Sequence, residues 1–396
     1  MPGDISRIKA WYALPEVAYG VVADPTGAAA LWIPAMIEPG TFPSNERSVI
    51  QRNFASGRNR RSPIRLGPGK SSVRLKGWFG GYTDAVEAGA PPAEDAIGTL
   101  LQSMLGAPLT NNGGTATAGA AASITTALAL TQGQLVCTRG PVTNGARAQW
   151  RRVTGAASPY AIAPDWTDNP VNADIIFGGR TYYPKVMPNT LFTGLSFSLI
   201  GDMDGRAYVM PGCRCHSFSI KASAGGGVEW EAEIQGNERL RQAFAALPAP
   251  PASDPEPTLY TLSPLLVNGA SLDVASIEID LAPEVTDVRG QATAQGRSNK
   301  RVVALRPTVK IDPLNDTVWE DVFDAATVFD LVAQFGAGEI SGTRVQATAF
   351  AAGAMQLMQP VNQKDDSGVT RQDLVLGPVD AGITGAAVYD FLIGRV

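Results

Sequence analysis

The chain has 396 residues, of which 44% are hydrophobic and 17% charged, and it carries 42 glycines, 29 prolines and a net charge of −5. This length exceeds one ordinary core, and the composition is typical of a folded protein with many turns and short strands. The acidic balance argues against general nucleic-acid binding through phosphate contacts, but it leaves open a surface past which DNA slides.

The sequence gives no sign of export or of a membrane span. The first residues, MPGDISRIKAW, lack the apolar core of a secretory signal, and no run of about 18 apolar residues follows. The three cysteines agree with this, because a secreted scaffold of this size more often carries an even, repeated set. We therefore expect a cytosol-like compartment and no membrane partner.

The first predicted elements are a basic loop, a strand and a helix. The loop contains ASGRNRR at 55–61 and leads into the strand SVRLKGW. The helix is indicated by apolar residues at the i, i+3, i+4, i+7 spacing, and Gly106 lies where a helix needs a left-handed closing residue. These apolar residues are Ile97, Leu100, Leu101, Met104 and Leu105.

An insertion of residues 109–189 follows the helix. It opens with the low-complexity run TNNGGTATAGAAAS and then carries five aromatic side chains, which predict a small β-rich core of its own. They are Trp150, Tyr160, Trp166, Tyr182 and Tyr183.

A strand hairpin, SFSIKASAGGGVEWEAEIQG, completes the first half. In VEWEAEI the apolar residues alternate with Glu229, Glu231 and Glu233, which is typical of a half-buried antiparallel strand with one acidic face. Such a face is tolerable when wet, and an ordinary solvent face explains it equally well. Repeated around a ring, it would form a negatively charged wall that holds off DNA phosphates.

The second half is separated by a proline-rich linker, PAPPASDPEPT at 248–258, and repeats features of the first. AQGRSNKR at 294–301 repeats the basic loop, and TVKIDP aligns with SVRLKGW through Val309 and Ile311. SIEIDL alternates as VEWEAEI does, and a second helix that ends at Gly336 is predicted. Its apolar residues are Val322, Ala326, Phe329, Val332 and Ala333.

Catalytic and metal chemistry are poorly supported. His216 is the one histidine, so neither a histidine pair nor a metal-binding helix can be built. Cys213, Cys215 and His216 form CRCH, but core or edge thiols explain this motif better than half a zinc site. We expect no catalytic residues, no metal and no cofactor.

The basic residues recur in both halves. A solvated loop explains either set alone, but recurrence favours loops that project toward an acidic partner, which can be a neighbouring copy. The set comprises Arg47, Arg52, Arg58, Arg60, Arg61, Arg289, Arg297, Lys300 and Arg301.

These features together resemble the tail tube, or major tail, protein of long-tailed bacteriophages. The resemblance rests on AYGVV at 18–22, the loop FPSNERSVIQRNFASGRNRR before SVRLKGWF, the helix after it and the hairpin set from LSFSLIG to AEIQG. It covers residues 1–108 and 190–396 and leaves the insertion unmatched. It implies a mainly β fold of two tandem antiparallel β-sandwich or barrel units, each with one short helix. The first unit comprises 1–108 and 190–247, and the second 259–396.

The resemblance also implies a function and partners. Family members form stacked rings of six units around a DNA channel, so a duplicated chain implies three copies per ring. The three glutamates would face the lumen, although the last strand of the second copy, TRQDLVLG, lacks such a face, and the basic residues would reach the next ring. Expected partners are the chain itself and the tape measure, terminator and distal tail proteins, with transient DNA passage. The expected location is the virion tail, assembled in the host cytoplasm.

Two alternatives remain open at this point. One is a non-enzymatic β-sandwich binding module, monomeric or dimeric, with exposed Trp150, Trp166 and Tyr182 forming a ligand site. The other is a different virion tail component.

Overall fold

A computed structural model describes residues 8–22, 30–36, 41–50, 65–80, 87–139, 148–184, 195–203, 207–242, 247–249, 258–260, 265–289, 297–314, 319–336, 347–366, 369–379 and 391–396. The elements as far as the end of the insertion are β1 (Ala10–Pro15), β2 (Leu31–Ile33), β3 (Glu46–Ile50), β4 (Arg65–Trp78), α1 (Ala96–Leu105), β5 (Leu109–Asn111), β6 (Gly114–Ala120), β7 (Ser123–Thr126), β8 (Leu135–Arg139), β9 (Ala148–Val153), β10 (Tyr160–Ala163), β11 (Ile175–Ile176) and β12 (Gly179–Tyr182).

The remaining elements are again mostly strands, so the prediction of a mainly β fold is confirmed. They are β13 (Phe197–Asp202), β14 (Ala207–Ser223), β15 (Glu229–Asn237), β16 (Leu240–Gln242), β17 (Leu265–Val267), β18 (Ala270–Leu272), β19 (Val274–Arg289), β20 (Arg297–Pro313), α2 (Trp319–Asp324), β21 (Phe329–Phe335), β22 (Thr348–Leu357), β23 (Asn362–Asp366), β24 (Val369–Pro378) and β25 (Leu392–Arg395). Within the described ranges, neither helix has the length and apolarity needed to cross a membrane.

One antiparallel sheet runs across both halves of the chain. Its strands follow one another in the order β3, β4, β15, β14, β19, β20, β24 and β22. The junction between the halves is the pairing of β14 with β19, in which Phe218 lies opposite Leu281 and Ser223 opposite Ser276. The apolar side chains of these strands, including Ile220 and Ile279, point into one shared core.

The order of strand pairing in the first half recurs in the second. In the first half β1 pairs with β2 and β13, β13 with β14, and β14 with β15 and β16. In the second half β17 pairs with β18 and β21, β21 with β22, and β22 with β24 and β25. We propose from this recurrence that residues 1–108 with 190–247, and residues 259–396, are two copies of one unit joined by 248–258.

The two helices differ, and the prediction for the second was wrong in its extent. Asp95 caps α1 by accepting a hydrogen bond from the backbone N–H of Gly98 at 2.7 Å, and Gly106 closes the helix with a φ of 97°. α2 ends at Asp324, and Phe329 and Val332 lie in β21. β21 packs Phe329 into the main core and Val332 into a second cluster, so an apolar run buried on both faces of a strand imitated a helical pattern.

The insertion contains a closed six-stranded barrel, in the order β10, β7, β6, β11, β8 and β9. It has a core that comprises Ala116, Ile124, Leu130, Val136, Val153, Tyr160, Ile162, Trp166 and Ile176, so of the five aromatic side chains expected there Tyr160 and Trp166 contribute. Outside this barrel, Trp150 packs with Leu266, Val332 and Leu392 of the second half. β12 pairs with β25. The insertion therefore interrupts the first half in sequence but covers a sheet edge of the second half in space.

A partly buried ion pair also joins the halves. Arg395 of β25 is 1% exposed, and its two terminal nitrogens contact the two carboxylate oxygens of Asp95, each at 2.7 Å. The guanidinium also donates to the carbonyl oxygen of Gly80. Burial tends to raise the pKa of Asp95, but the charge and hydrogen bonds of Arg395 outweigh this, so that pKa is lowered.

Asp95→Asn should keep the helix cap but leave the guanidinium of Arg395 without its counter-ion. We expect a loss of about 2 kcal/mol in the free energy of unfolding at pH 7. That is below the ~3–5 kcal/mol of a fully buried pair, because the side chain of Asp95 is 38% exposed. Because the pKa of Asp95 is lowered in the folded protein, its ionised carboxylate stabilises the fold above the ordinary carboxyl pKa. This stabilisation is lost as the pH falls from the ordinary pKa through the lowered one. Denaturant titrations should thus show the gap to wild type narrowing in acid, and a constant gap would contradict the assignment.

Candidate functional surfaces

The predicted acidic strand lies in β15, at the middle of the first half of the long sheet. Trp230, Ala232 and Ile234 are fully buried on one face, whereas Glu229 is exposed and Glu231 and Glu233 are partly exposed on the other. The alternation predicted from sequence is therefore present. It arises because successive side chains of a strand point to opposite faces, and only one face covers the core.

A chain of ion pairs crosses this outer face. Glu231 contacts both Arg74 of β4 and Lys221 of β14, each at 3.3 Å. Lys221 in turn lies 3.4 Å from Glu278 of β19, and Glu278 lies 3.0 Å from Lys310 of β20. The chain spans five neighbouring strands and crosses the junction between the halves. The glutamates thus belong to a face of alternating charge rather than to a uniformly acidic one.

The pKa shifts along this chain follow from the pairing. Burial tends to raise the pKa of Glu278, but the hydrogen bond and charge of Lys310, with the charge of Lys221, lower it overall. Burial likewise tends to lower the pKa of Lys221, and its hydrogen bond to Glu231 and the charge of Glu278 raise it overall. Burial, followed by the charge of Glu278, raises the pKa of Asp280. Each pair is partly exposed and contributes up to about 1 kcal/mol.

The predicted basic set is only partly described. Arg47 lies in β3 and forms an ion pair with Glu238. Arg52, Arg58, Arg60 and Arg61 lie outside the described residues. The backbones of Arg289, Arg297, Lys300 and Arg301 belong to β19 and β20, whereas their side chains lie outside the description.

The second basic cluster was expected in a loop, and that prediction was wrong for these four residues. Arg289 lies opposite Arg297, Asp287 opposite Lys300 and Thr286 opposite Arg301, so all are in a paired hairpin. Among the described residues, 282–289 and 297–306 pair only with each other. Seven steps of strand span about 23 Å. The hairpin therefore forms an arm of that length beyond the shared sheet.

The aromatic side chains of the insertion do not form an exposed site. Trp150, Trp166 and Tyr182 are 1%, 5% and 0% exposed. The indole N–H of Trp166 donates to the backbone of Ser123, and the hydroxyl of Tyr182 donates to Glu94 at 2.5 Å. These rings fill the barrel interior and its contacts with the two halves, which removes the expected ligand surface.

The cysteines are core residues, as the sequence indicated. Cys137, Cys213 and Cys215 are buried free thiols, and burial raises the pKa of Cys137 and Cys215. Within the described part of the chain, no group of three or more histidine, cysteine or acidic residues is placed to hold a metal ion.

A buried carboxylate near the amino terminus was missed from sequence. Glu16 accepts hydrogen bonds from the hydroxyls of Ser196 and Ser198 and from the backbone N–H groups of Gly20 and Gly212, all within 2.8 Å. It thereby fixes the turn that contains AYGVV against β13 and β14. Local sequence could not reveal this site, because Ser196, Ser198 and Gly212, three of its four donors, are 180 to 196 residues away in sequence.

The comparisons with known proteins decide the family. Residues 6–382 match the family described as phage tail tube protein. The chain belongs to this family. None of the curated proteins matches it in sequence. The match spans both halves and the insertion, so the chain is a structural component of a bacteriophage tail, as the resemblance implied. The tail tube assignment also fits a fold whose long sheet already joins two similar units.

Lys221→Glu in this tail tube protein should test the ion-pair chain. The substitution places a third carboxylate between Glu231 and Glu278, so like charges meet at the junction of the halves. We expect the free energy of unfolding to fall by about 1–2 kcal/mol at low ionic strength. Lys221→Met is the neutral control and should lose less. Thermal unfolding in low and high salt should show the difference between the two variants shrinking as salt screens the charges, and a salt-independent difference would contradict an electrostatic cause.

Proposed function

We propose that this chain is the subunit that polymerises into the tail tube, as stacked trimeric rings of pseudo-sixfold symmetry around a channel for DNA. The observation that carries the proposal is the recurrent strand pairing joined into one sheet through β14 and β19. Two units in one chain supply two wall segments, and three chains complete the six-unit ring that the resemblance implies. Assembly would occur in the host cytoplasm and require neither a cofactor nor catalysis.

The face that carries Glu229, Glu231 and Glu233 is our candidate for the channel lining. A lining must let DNA pass without holding its phosphates, and Lys221 and Lys310 are already engaged by carboxylates on this face. A phosphate would have to displace those carboxylates before it could bind. The paired charges therefore favour a weakly interacting wall more directly than an unbroken acidic surface would.

The basic arms are our candidates for contacts between rings. The long hairpin of β19 and β20 carries Arg289, Arg297, Lys300 and Arg301 toward its end. In the first copy Arg47 lies on the corresponding strand β3, where it pairs with Glu238, and a contact between rings would have to compete with that pair. Like charges at the end of a projecting arm favour an acidic surface on the neighbouring ring. We assign Arg52, Arg58, Arg60 and Arg61 the same role by sequence.

The insertion and the ends of the tube complete the proposal. A barrel of six strands inside the channel would obstruct DNA, so we place it on the outer surface. At the tube ends we expect the tape measure, terminator and distal tail proteins as partners.

Electron microscopy of the purified protein tests the assembly. We expect hollow rods or rings whose end views show six similar lobes with three outer projections, one from each insertion barrel. Compact particles that stay small at high protein concentration would contradict the proposal. End views with six projections would show six chains in each ring and would contradict the trimer.

The double variant Arg58→Glu with Arg297→Glu tests the arms. Reversal of charge in both copies should block rod growth while single rings still form, because ring closure does not use these side chains. Arg58→Lys with Arg297→Lys is the matched control and should polymerise. Light scattering and electron microscopy measure the outcome, with circular dichroism to verify folding. Normal rod growth of the reversed variant would remove the proposed role.

A further inference from the structure

The two ends of the long sheet repeat the two strands that meet at its centre. At the centre, β14 pairs with β19. At one end β22 and β23 pair with successive parts of β24, and β23 pairs with β24 as the last part of β14 pairs with β15. At the other end lie residues 41–45, just before β3, where the backbone of Ser44 bonds to β4 at the position that β19 occupies beside β20.

The register of these ends can be read from the centre. Val73 lies opposite Ile234 in the first half and Val309 opposite Leu376 in the second, so β4 corresponds to β20 and β15 to β24. The backbone N–H of Ser44 donates to the carbonyl oxygen of Ser72 at 2.8 Å. Ser72 corresponds to Thr308, because each directly precedes one of the matched residues Val73 and Val309. Asp280 lies opposite Thr308, so Ser44 corresponds to Asp280.

The other end is matched in the same way. Ser219 of β14 lies opposite Glu231, three residues before Ile234. Asn362 of β23 lies opposite Asp373, three residues before Leu376. Asn362 therefore corresponds to Ser219, and Ser219 is the residue that lies opposite Asp280 at the centre.

We propose that β23 of one chain pairs with residues 41–45 of a second chain, in the same register as β14 with β19, which places Asn362 opposite Ser44. This inference rests on the proposed function, because it specifies how one wall segment meets the next. Ser44 and Asn362 are exposed in the single chain, whereas the neighbouring Pro43 is buried.

Pro43 makes the proposed junction between chains different from the central one. Pro43 stands where β19 has Ile279 and has no N–H to donate. Backbone N–H groups of successive residues in a strand point to opposite sides, and that of Ser44 points toward β4. A backbone N–H at position 43 would therefore have pointed toward the incoming strand. The carbonyl oxygen of Pro43 already accepts a hydrogen bond from Arg239 at 2.5 Å. Position 43 therefore offers an incoming strand neither a backbone donor nor a free carbonyl oxygen. Proline is common at the edge strands of sheets, where it weakens pairing with other chains.

The side-chain contacts of the central junction are also reduced. Glu278, which binds both Lys221 and Lys310, corresponds to Phe42 in the first copy. Phe42 is turned toward Tyr208, with ring centroids 6.2 Å apart. At the proposed junction between chains, position 42 therefore supplies no carboxylate to replace Glu278, and the ion pair between Lys221 and Glu278 has no counterpart there. The junction between two chains is therefore a weaker version of the junction between β14 and β19 within one chain. This weakness lets free chains stay apart before assembly.

Engineered disulfides test the register. Residues directly opposite in antiparallel strands have Cα atoms about 4.5–5.5 Å apart, within the range that a disulfide spans. Ser44→Cys with Asn362→Cys should give covalent dimers and trimers on oxidation of assembled protein, seen by non-reducing electrophoresis. A closed ring of three should accumulate as trimer with no larger species.

Two control pairs make the outcome decisive. Ser219→Cys with Asp280→Cys should oxidise within one chain whether or not the protein is assembled. Asn45→Cys with Asn362→Cys should fail, since adjacent residues of a strand point to opposite faces. If rods form but the Ser44 and Asn362 pair stays reduced while the internal pair closes, the register is overturned and the tube function stands. If no rods or rings form under any condition, the proposed function fails and this inference fails with it.

Pro43→Ala tests the weakening. The variant regains a backbone donor at the edge, which should lower the critical concentration for assembly about five-fold, the effect of one added hydrogen bond. Sedimentation of polymer across a concentration series measures this, with thermal unfolding of the unassembled chain to verify the fold. An unchanged or higher critical concentration, in a variant that unfolds at the wild-type temperature, would overturn the role of Pro43.

Discussion

The backbone ladder between β14 and β19 is the constraint on which the rest of the structure depends. It fixes the register of one half against the other, so that Ile220 and Ile279 face the core while Lys221 and Glu278 meet on the outer face. A slip of one residue would exchange these two sets, exposing the isoleucines and burying the charges. Core packing and surface ion pairs therefore specify the same register independently, and neither half can shift without losing both.

The two copies are alike in the middle of the sheet and unlike at its margins. In the second copy, β25 is covered by β12 of the insertion, and Gly394 makes room for Trp150, whose ring would lie about 2.5 Å from an added Cβ. In the first copy, the buried carboxylate of Glu16 fixes the amino-terminal turn instead. The margins are where each half meets different neighbours, so different contacts are expected there for the two copies of one unit that we propose.

Local periodicity predicted what depends on one strand and missed what depends on several. The alternation in β15 and β19, the closing glycine of α1 and the place of Tyr160 and Trp166 in the core of the insertion all followed from neighbouring residues. The extent of α2 did not, because β21 is buried on both faces and its apolar run has no strand period. The ion pairs of Lys221 were equally unreadable. Glu231 and Glu278 lie on two different strands, and only the pairing register brings both to the same amine.

A subunit with complementary sheet edges faces a conflict between assembly and premature association. If both junctions were as strong as the one between β14 and β19, free chains would pair on contact, since unpaired edges are templates for any strand. If the two halves are copies of one unit, as we propose, half of this conflict is resolved, because one junction of every pair is the pairing of β14 with β19 within the chain and does not depend on protein concentration. In the trimeric ring that we propose, the remaining junction can then be weak, since closure requires three such contacts together and each supports the others. A proline at this edge is therefore consistent with a strong tube, because it lowers the stability of a lone contact more than that of a closed ring.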